Sequence, residues 1–468
     1  MMNILLLYPY FLDVVPKTSG LLPPLSLGYL GSFVRKHGFK CDIIDCTGQG
    51  ITHQEVCHIV RQERPDFVGI SSTTMYIDRA IDLSMKIKNV CPATKVIVGG
   101  CHATVMAKAV LKESESVDIV IRGEGEETLL EILRGFQHDE FDLSPIKGIS
   151  YRYKGKIIEN GDRPMIKDMD SIPFPLRKTA ENVNYRSSMK WNYRYPFASM
   201  ITSRGCPYHC EFCNVHDMFG MKVRYRSVEN VIEELNMLSK DYGIKEVVFY
   251  DDTLTINKKR VVEICERMIS EKLDITWGCY SRSDAIDDKI TKLMKKSGCH
   301  MISIGVETGS ERILNDMKKG ITLEQSRKAI EVCKKNGIET SASFVVGFNG
   351  ETRKTIQETS RFAQEIDPTF MTIFRLVPYP GTSSYIKYLN ERKLSKLSIQ
   401  QFKELGNSRV IQVDDISEEE LRKLIKKMYH SFYLRPSKLL QHFFRMFSFH
   451  IVKGYLRGLI WFVWQKME

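Results

Sequence analysis

No stretch of this chain reaches the roughly 18 uncharged apolar residues that a membrane-spanning helix requires, so no spanning helix is expected. A secretory leader is not expected either. Met1-Met-Asn-Ile-Leu-Leu-Leu-Tyr8 has no basic head and no small-residue cleavage site, and reads better as a first buried strand. Without an export signal the expected compartment is the cytoplasm, where thiols stay reduced, so the twelve cysteines are not expected to pair. All but Cys206, Cys210 and Cys213 are scattered over apolar segments, as small core residues would be. Acidic residues are missing from one region: between Arg422 and Lys466 there is no Asp or Glu, and much of the net charge of +11 gathers there. No nucleic-acid motif accompanies that charge, so nucleic acid is not an expected partner, and an anionic ligand or surface is left open. The same tail is aromatic, in His442-Phe-Phe-Arg-Met-Phe-Ser-Phe-His450 and Tyr455-Leu-Arg-Gly-Leu-Ile-Trp-Phe-Val-Trp464. It reads as a helical cap or as peripheral helices lying on a membrane surface.

What is present is regular alternation. A chain of 468 residues is long enough for two or three domains with their own cores. Over residues 1–140, apolar runs at Ile4–Leu7, Cys41–Ile44, Phe67–Ile70, Val96–Val98 and Ile119–Ile121 read as buried parallel strands. Helical patterns such as Leu25–Lys36 and Ile77–Val90 separate them, which predicts a doubly wound, Rossmann-like α/β sheet. Ligands of such sheets sit beyond the carboxyl ends of the strands. The residues expected there are Ser71 and Thr73, then Gly99, Gly100, His102 and Thr104, then Gly123 and Glu124. Residues 141–195, with Pro145, Pro164, Pro173 and Pro175, read as a linker carrying a small strand pair at Gly148–Tyr153 and Lys156–Glu159. A second αβ series fills 196–400, with strands near Ala198–Thr202, Glu246–Tyr250, Ile275–Tyr280, Met301–Val306, Thr340–Val346 and Met371–Leu376. Helical spacers such as Val228–Leu238 and Glu324–Asn336 make this a partial (β/α)6 barrel, whose chemistry is expected at the carboxyl ends of its strands. Residues 401–468 form the helical tail.

The first barrel strand leads directly into Cys206-Pro-Tyr-His-Cys210-Glu-Phe-Cys213. Three thiolates on one short loop can hold three irons of a 4Fe-4S cluster and leave the fourth without a protein ligand. An open metal position can bind and activate a substrate.

This combination resembles the cobalamin (B12)-binding radical S-adenosylmethionine (SAM) enzymes, over roughly residues 1–400. The family signature is matched by the three cysteines and by Phe212 before the last of them. The resemblance implies that Cys206, Cys210 and Cys213 bind the cluster and that SAM completes the open iron. It places Phe212 near the adenine and implies electron transfer that yields methionine and a 5′-deoxyadenosyl radical. Later strand ends match as well. Tyr250-Asp-Asp-Thr253 makes Asp251 or Asp252 a partner for the SAM amino group, and Arg282 a partner for its carboxylate. Gly305-Val-Glu-Thr-Gly-Ser310 makes Glu307 the partner of the ribose hydroxyls, while Val346–Glu351 and Pro378–Thr382 resemble the last two strand signatures. Leu22–Leu30, Val98–Thr104 and Gly123–Glu126 resemble the family's cobalamin module. One departure from better-known modules stands out: no Asp-x-His-x-x-Gly surrounds any histidine, so no His lower ligand to cobalt is implied.

The expected activity is therefore methylation of an unactivated carbon or phosphorus centre of a small molecule, a lipid or another hydrophobic or anionic metabolite. The expected electron donor is a flavodoxin or ferredoxin. Ring formation or rearrangement without methyl transfer is the alternative within the family. Outside it stand a structural zinc site built from the three cysteines and His216, a non-catalytic cobalamin sensor, and a sulfur-inserting enzyme, for whose second cluster no spaced cysteines exist.

Overall fold

The computed structural model describes residues 2–11, 22–138, 141–177, 185, 193–391 and 416–446. The tail segment Tyr455–Trp464, and with it that part of the expected membrane contact, lies outside the described residues.

The first sheet is built from β1 (Asn3–Tyr8), β2 (Lys40–Asp45), β3 (Phe67–Ser71), β4 (Lys95–Gly99), β5 (Ile119–Ile121), β6 (Ile149–Tyr153) and β7 (Lys156–Glu159). Their order across the sheet is β2-β1-β3-β4-β5-β6-β7. The first five are parallel and doubly wound, with Leu5, Leu7, Val68, Ile70, Val96 and Val98 on one buried face and Ile4, Leu6, Phe67, Ile97 and Ile119 on the other. Burial on both faces is why these strands are continuous apolar runs. The strand pair expected inside a linker does form, but it extends this sheet: β6 pairs antiparallel with β5, and β7 with β6. The first folded unit thus continues to Glu159.

The second sheet takes β8 (Phe197–Met200), then, beyond the two-residue strands β9 (Ser203–Arg204) and β10 (Arg224–Tyr225), takes β11 (Glu246–Phe249), β12 (Thr276–Arg282), β13 (Cys299–Glu307), β14 (Glu339–Val346) and β15 (Phe370–Arg375). Its order is β15-β14-β13-β12-β11-β8, and every neighbouring pair is parallel. Helices cover it, with firm N-termini where the sequence supplies caps. Thr322 and Gln325 form a reciprocal capping box at the helix Leu323–Lys335, as do Thr352 and Thr355 at Arg353–Ile366.

The two sheets share a core. Leu7, Ile70 and Val98 of the first belong to one buried cluster with Ile313, Met317, Leu376 and Tyr388 of the second domain. After β15 come helices Ser383–Asn390, Glu418–Tyr433 and Pro436–Met446. Lys438 and Arg445 of the last are buried on Pro368 and Glu339, whereas Leu439, Leu440 and Phe444 of the same helix are exposed. Among the described residues, no helix is long and apolar enough to cross a membrane.

Candidate active site

The cysteine loop leaves β9 through Gly205, whose φ of +99° is left-handed, and whose Cβ, if it had one, would lie 2.7 Å from the Lys222 carbonyl. Backbone bonds hold the loop at both ends, from Cys206 N to Gly220 O (3.3 Å) and from Glu211 N to Met317 O (3.0 Å). Cys206, Cys210 and Cys213 are all half-buried and free. Burial pushes all three thiols up, Cys213 to about 11, while Lys319 and Arg282 pull Cys206 and Cys210 back toward the thiolate. Among the described residues no three His, Cys, Asp or Glu side chains converge on one ion. A single zinc needs its ligands to meet at one metal, whereas each cysteine of a cube holds a different corner.

The strand ends around the loop divide into groups that face it and groups that are spent elsewhere. Arg282 lies over the Tyr208 ring, its guanidinium carbon 3.4 Å from the centroid, and is bonded to Asp284 at 3.0 and 3.1 Å. Its charge therefore already has a carboxylate partner. Asp251 is fully buried and is not open to a ligand. It accepts bonds from Thr202 N (3.2 Å), Thr202 Oγ1 (2.8 Å) and Ser203 Oγ, with Arg260 nearby. Asp252 keeps solvent contact yet is crowded by protein. That desolvation, together with the Asp251 charge, pushes its carboxyl up to about 7, against a bond from the Gly205 N–H. Of the two aspartates, Asp252 is the one whose charge reaches Cys206 and Cys213. Glu307, with φ of +69°, pairs with buried Lys319 at 2.5 Å. Gly305 makes room for that pair, since a Cβ there would sit 2.5 Å from Glu307 and 2.6 Å from Lys319. Phe212 packs, partly buried, on the core common to both domains.

At the carboxyl edge of the first sheet is an apolar cavity of about 140 Å³. Its floor is Leu6, Gly69, Ile97, Gly99 and Ile121, and its roof is Leu27, Leu30 and Leu129 from the helices Leu25–Lys36 and Glu126–Gly135. Any side chain at Gly99 would fill the slot, because a Cβ there meets no heavy atom nearer than 3.9 Å. Ser71, Gly100, Gly123 and Glu124 also line it. Thr73 and His102 do not. His102 is buried beside Thr74, where desolvation pushes it down to about 4, and no histidine among the described residues lines the cavity. Thr104 acts indirectly: its hydroxyl bonds Gly100 O (2.9 Å) and accepts from Gly123 N (3.1 Å). The far wall is Arg204, Met218 and Phe219, which flank the cysteine loop in the chain. Glu124 carries more than a cavity wall, since its carboxylate also binds Arg204 (2.8 Å) and Arg224 (2.7 Å).

Comparison with known proteins accords with this geometry. The Radical SAM superfamily matches residues 200–363, and the B12 binding domain matches residues 12–133. An uncharacterized methyltransferase of Pyrococcus horikoshii is 36% identical over 461 residues, covering 98% of each chain. The chain belongs to the cobalamin-binding radical SAM enzymes. The anaerobic magnesium-protoporphyrin IX monomethyl ester cyclase of Rubrivivax gelatinosus is 30% identical over 385 residues, which are 81% of this chain and 68% of that protein. In fold, the chain superposes on the radical SAM methyltransferase TsrM of Kitasatospora setae, solved with cobalamin and a [4Fe-4S] cluster, with a TM-score of 0.71 at 17% identity. That match covers 84% of this chain and 78% of TsrM. As a cobalamin-binding radical SAM enzyme the chain takes SAM, a 4Fe-4S cluster and cobalamin as cofactors. Three half-buried cysteines on one loop fit the cluster, and the glycine-floored apolar slot next to it fits a flat apolar part of a corrinoid rather than the whole.

The sequence did not single out Lys319, Tyr208 or the Arg204–Arg224 pair. Lys319 had a signal, in that Met317-Lys-Lys-Gly320 is a charged, glycine-ended turn soon after the Gly305–Ser310 motif. The others act through partners remote in sequence, which no local pattern displays.

Proposed function

We propose that this enzyme transfers a methyl group to an unactivated carbon or phosphorus centre of a hydrophobic or anionic small molecule. One observation carries the reading: Arg204 and Phe219, on either side of the cysteine loop, form the wall of the glycine-floored cavity, so the two cofactor sites adjoin. When bound, the cluster supplies the electron that cleaves SAM, and cobalamin supplies a carrier for the methyl group. The residues of the chain do the placing. Cys206, Cys210 and Cys213 are the three cluster ligands, and the slot under Leu27, Leu30 and Leu129 seats the cobalamin without an imidazole from its walls. Asp252 faces the SAM amino group. The Lys319–Glu307 pair places one cation and one anion beside the cysteines, where the SAM carboxylate and ribose need a donor and an acceptor. An external one-electron donor such as flavodoxin or ferredoxin reduces the cluster.

Methyl transfer is favoured over ring closure because the relative that bears the name methyltransferase is 36% identical over 98% of this chain, against 30% over 81% for the cyclase. The test uses anaerobically reconstituted enzyme, reduced flavodoxin and methyl-labelled SAM. Label is expected in the corrin fraction. If 5′-deoxyadenosine forms while the corrin stays unlabelled, ring closure or rearrangement replaces methyl transfer.

The carboxyl-terminal helix supports contact with an anionic lipid surface. Leu439, Leu440 and Phe444 face outward while its cations face in, and the chain beyond adds Trp461, Trp464 and more basic residues without an acidic one before Glu468. Flotation with anionic vesicles is expected for the wild type and is expected to be lost in L440E/F444E. Equal flotation, or none in either, ends this reading.

A further inference from the structure

The turn Gly123-Glu124-Gly125-Glu126 sits between the cavity and the strand that feeds the cysteine loop. Four charged side chains meet there, all at most 8% exposed: Glu124, Glu126, Arg204 and Arg224. One Glu124 oxygen takes Arg204 at 2.8 Å. The other takes Arg224 at 2.7 Å and the Ile166 N–H at 2.8 Å. The second arm of Arg204 goes to Glu126 at 2.6 Å, and Arg224 closes the set on the carbonyls of Ile166 and Phe219. Two guanidinium groups face two carboxylates, so charge balances inside a dry interface, where each bond is strong and an unmade one is costly.

The arrangement forms a mechanical path. Arg204 and Arg224 are direct partners across the antiparallel pair β9–β10. Cys206 follows Arg204 after only Gly205, where the Lys222 carbonyl leaves no room for a Cβ. On the other side, Glu124 follows β5, whose Ile121 forms part of the cavity floor. The guanidinium of Arg204 also lies against the rings of Tyr29 and Phe219 (5.6 and 5.5 Å), both in the cavity wall.

We propose that Glu124 is a positioning residue which, through Arg204, fixes the cysteine loop against the cobalamin cavity and so sets the separation of the two cofactors. This rests on the function proposed above. A glutamine at 124 keeps one acceptor oxygen but turns an NH2 group toward the other guanidinium, so one arginine loses its bond to residue 124. Arg204 then falls back on Glu126, or Arg224 on the Ile166 and Phe219 carbonyls, and the loop loses its fixed register. Loss of Glu126 alone leaves Arg204 still held by Glu124, and is expected to be milder.

The test is pulsed electron paramagnetic resonance on reconstituted, full-length enzyme, with the cluster reduced and the cobalamin in its cobalt(II) form. The readout is the coupling between the two spins. Wild type is expected to give one narrow coupling. E124Q is expected to lose it, and E126Q to broaden it less, while the separate spectra of the two centres stay unchanged. Should E124Q fail to fold, E124D, whose carboxylate is one methylene too short to bridge both arginines, carries the test. A loaded E124Q or E124D with wild-type coupling overturns the positioning role alone. A wild type that takes up neither paramagnetic centre overturns the function itself, and this inference with it.

Discussion

Replacing any one of Cys206, Cys210 or Cys213 by alanine is expected to abolish 5′-deoxyadenosine formation from SAM and to remove the visible absorption of the cluster. The expectation follows from how little redundancy the loop contains. The other cysteines of this domain, Cys265, Cys279, Cys299 and Cys333, are buried within the barrel core, so none can take over. Fixed backbone bonds at Cys206 and Glu211 prevent the loop from sliding to present another donor. Two of the three thiols also have cations near them, since Arg282 and Lys319 lower the cost of ionising Cys206 and Cys210, whereas burial and Asp252 push Cys213 up. The fold, whose cores do not include these three cysteines, is expected to be kept, read as unchanged far-ultraviolet circular dichroism. Cys57→Ala, at a half-buried thiol on a helix of the first domain, is the control expected to change nothing. Retained SAM cleavage in any of the three variants would place the cluster elsewhere.

Much of this architecture is legible in the sequence because it depends on local periodicity. The helices Leu25–Lys36 and Ile77–Val90 begin and end where their apolar spacing says, and the parallel strands are apolar runs because both faces are covered. The hairpin β6–β7 is legible as a hairpin, but not as the edge of the first sheet. Its partner strand β5 lies beyond an intervening helix, and pairing across that distance leaves no local mark. The same limit governs the site. The cysteine loop announces itself by spacing alone. Glu124 appears to sequence reasoning as one acid in a glycine turn, since the arginines that occupy it lie some 80 and 100 positions further on. His102, in a glycine-rich turn at the correct sheet edge, looks like a ligand until the fold shows it turned into the core beside Thr74.

The adjacent aspartates at the end of β11 show what such a turn hides, and they carry the second large effect. Asp251→Ala is expected to destabilise the protein by about 3 kcal/mol, because a buried acceptor is taken from three donors at once. The removed carboxylate leaves Thr202 N, Thr202 Oγ1 and Ser203 Oγ without their acceptor, and takes one nearby anion from Arg260, in the segment that leads into the cysteine loop. Urea unfolding measures it, and a loss below about 1 kcal/mol, the scale of a surface substitution, would show that Asp251 does not hold this segment. Asp252→Asn is expected to behave differently, through pH. The folded carboxyl keeps its proton up to about 7, while the unfolded one releases it near its ordinary value of 3.8. Between those limits the native state binds more protons, so its contribution is complete below about 3.8 and is lost as pH rises through about 7. Asparagine has no proton to lose. The variant is therefore expected to gain on the wild type as pH climbs through that window and to level off above it. Parallel stability curves for the two proteins would mean that Asp252 is hydrated like a surface acid, and that its crowding beside Asp251 has no energetic consequence.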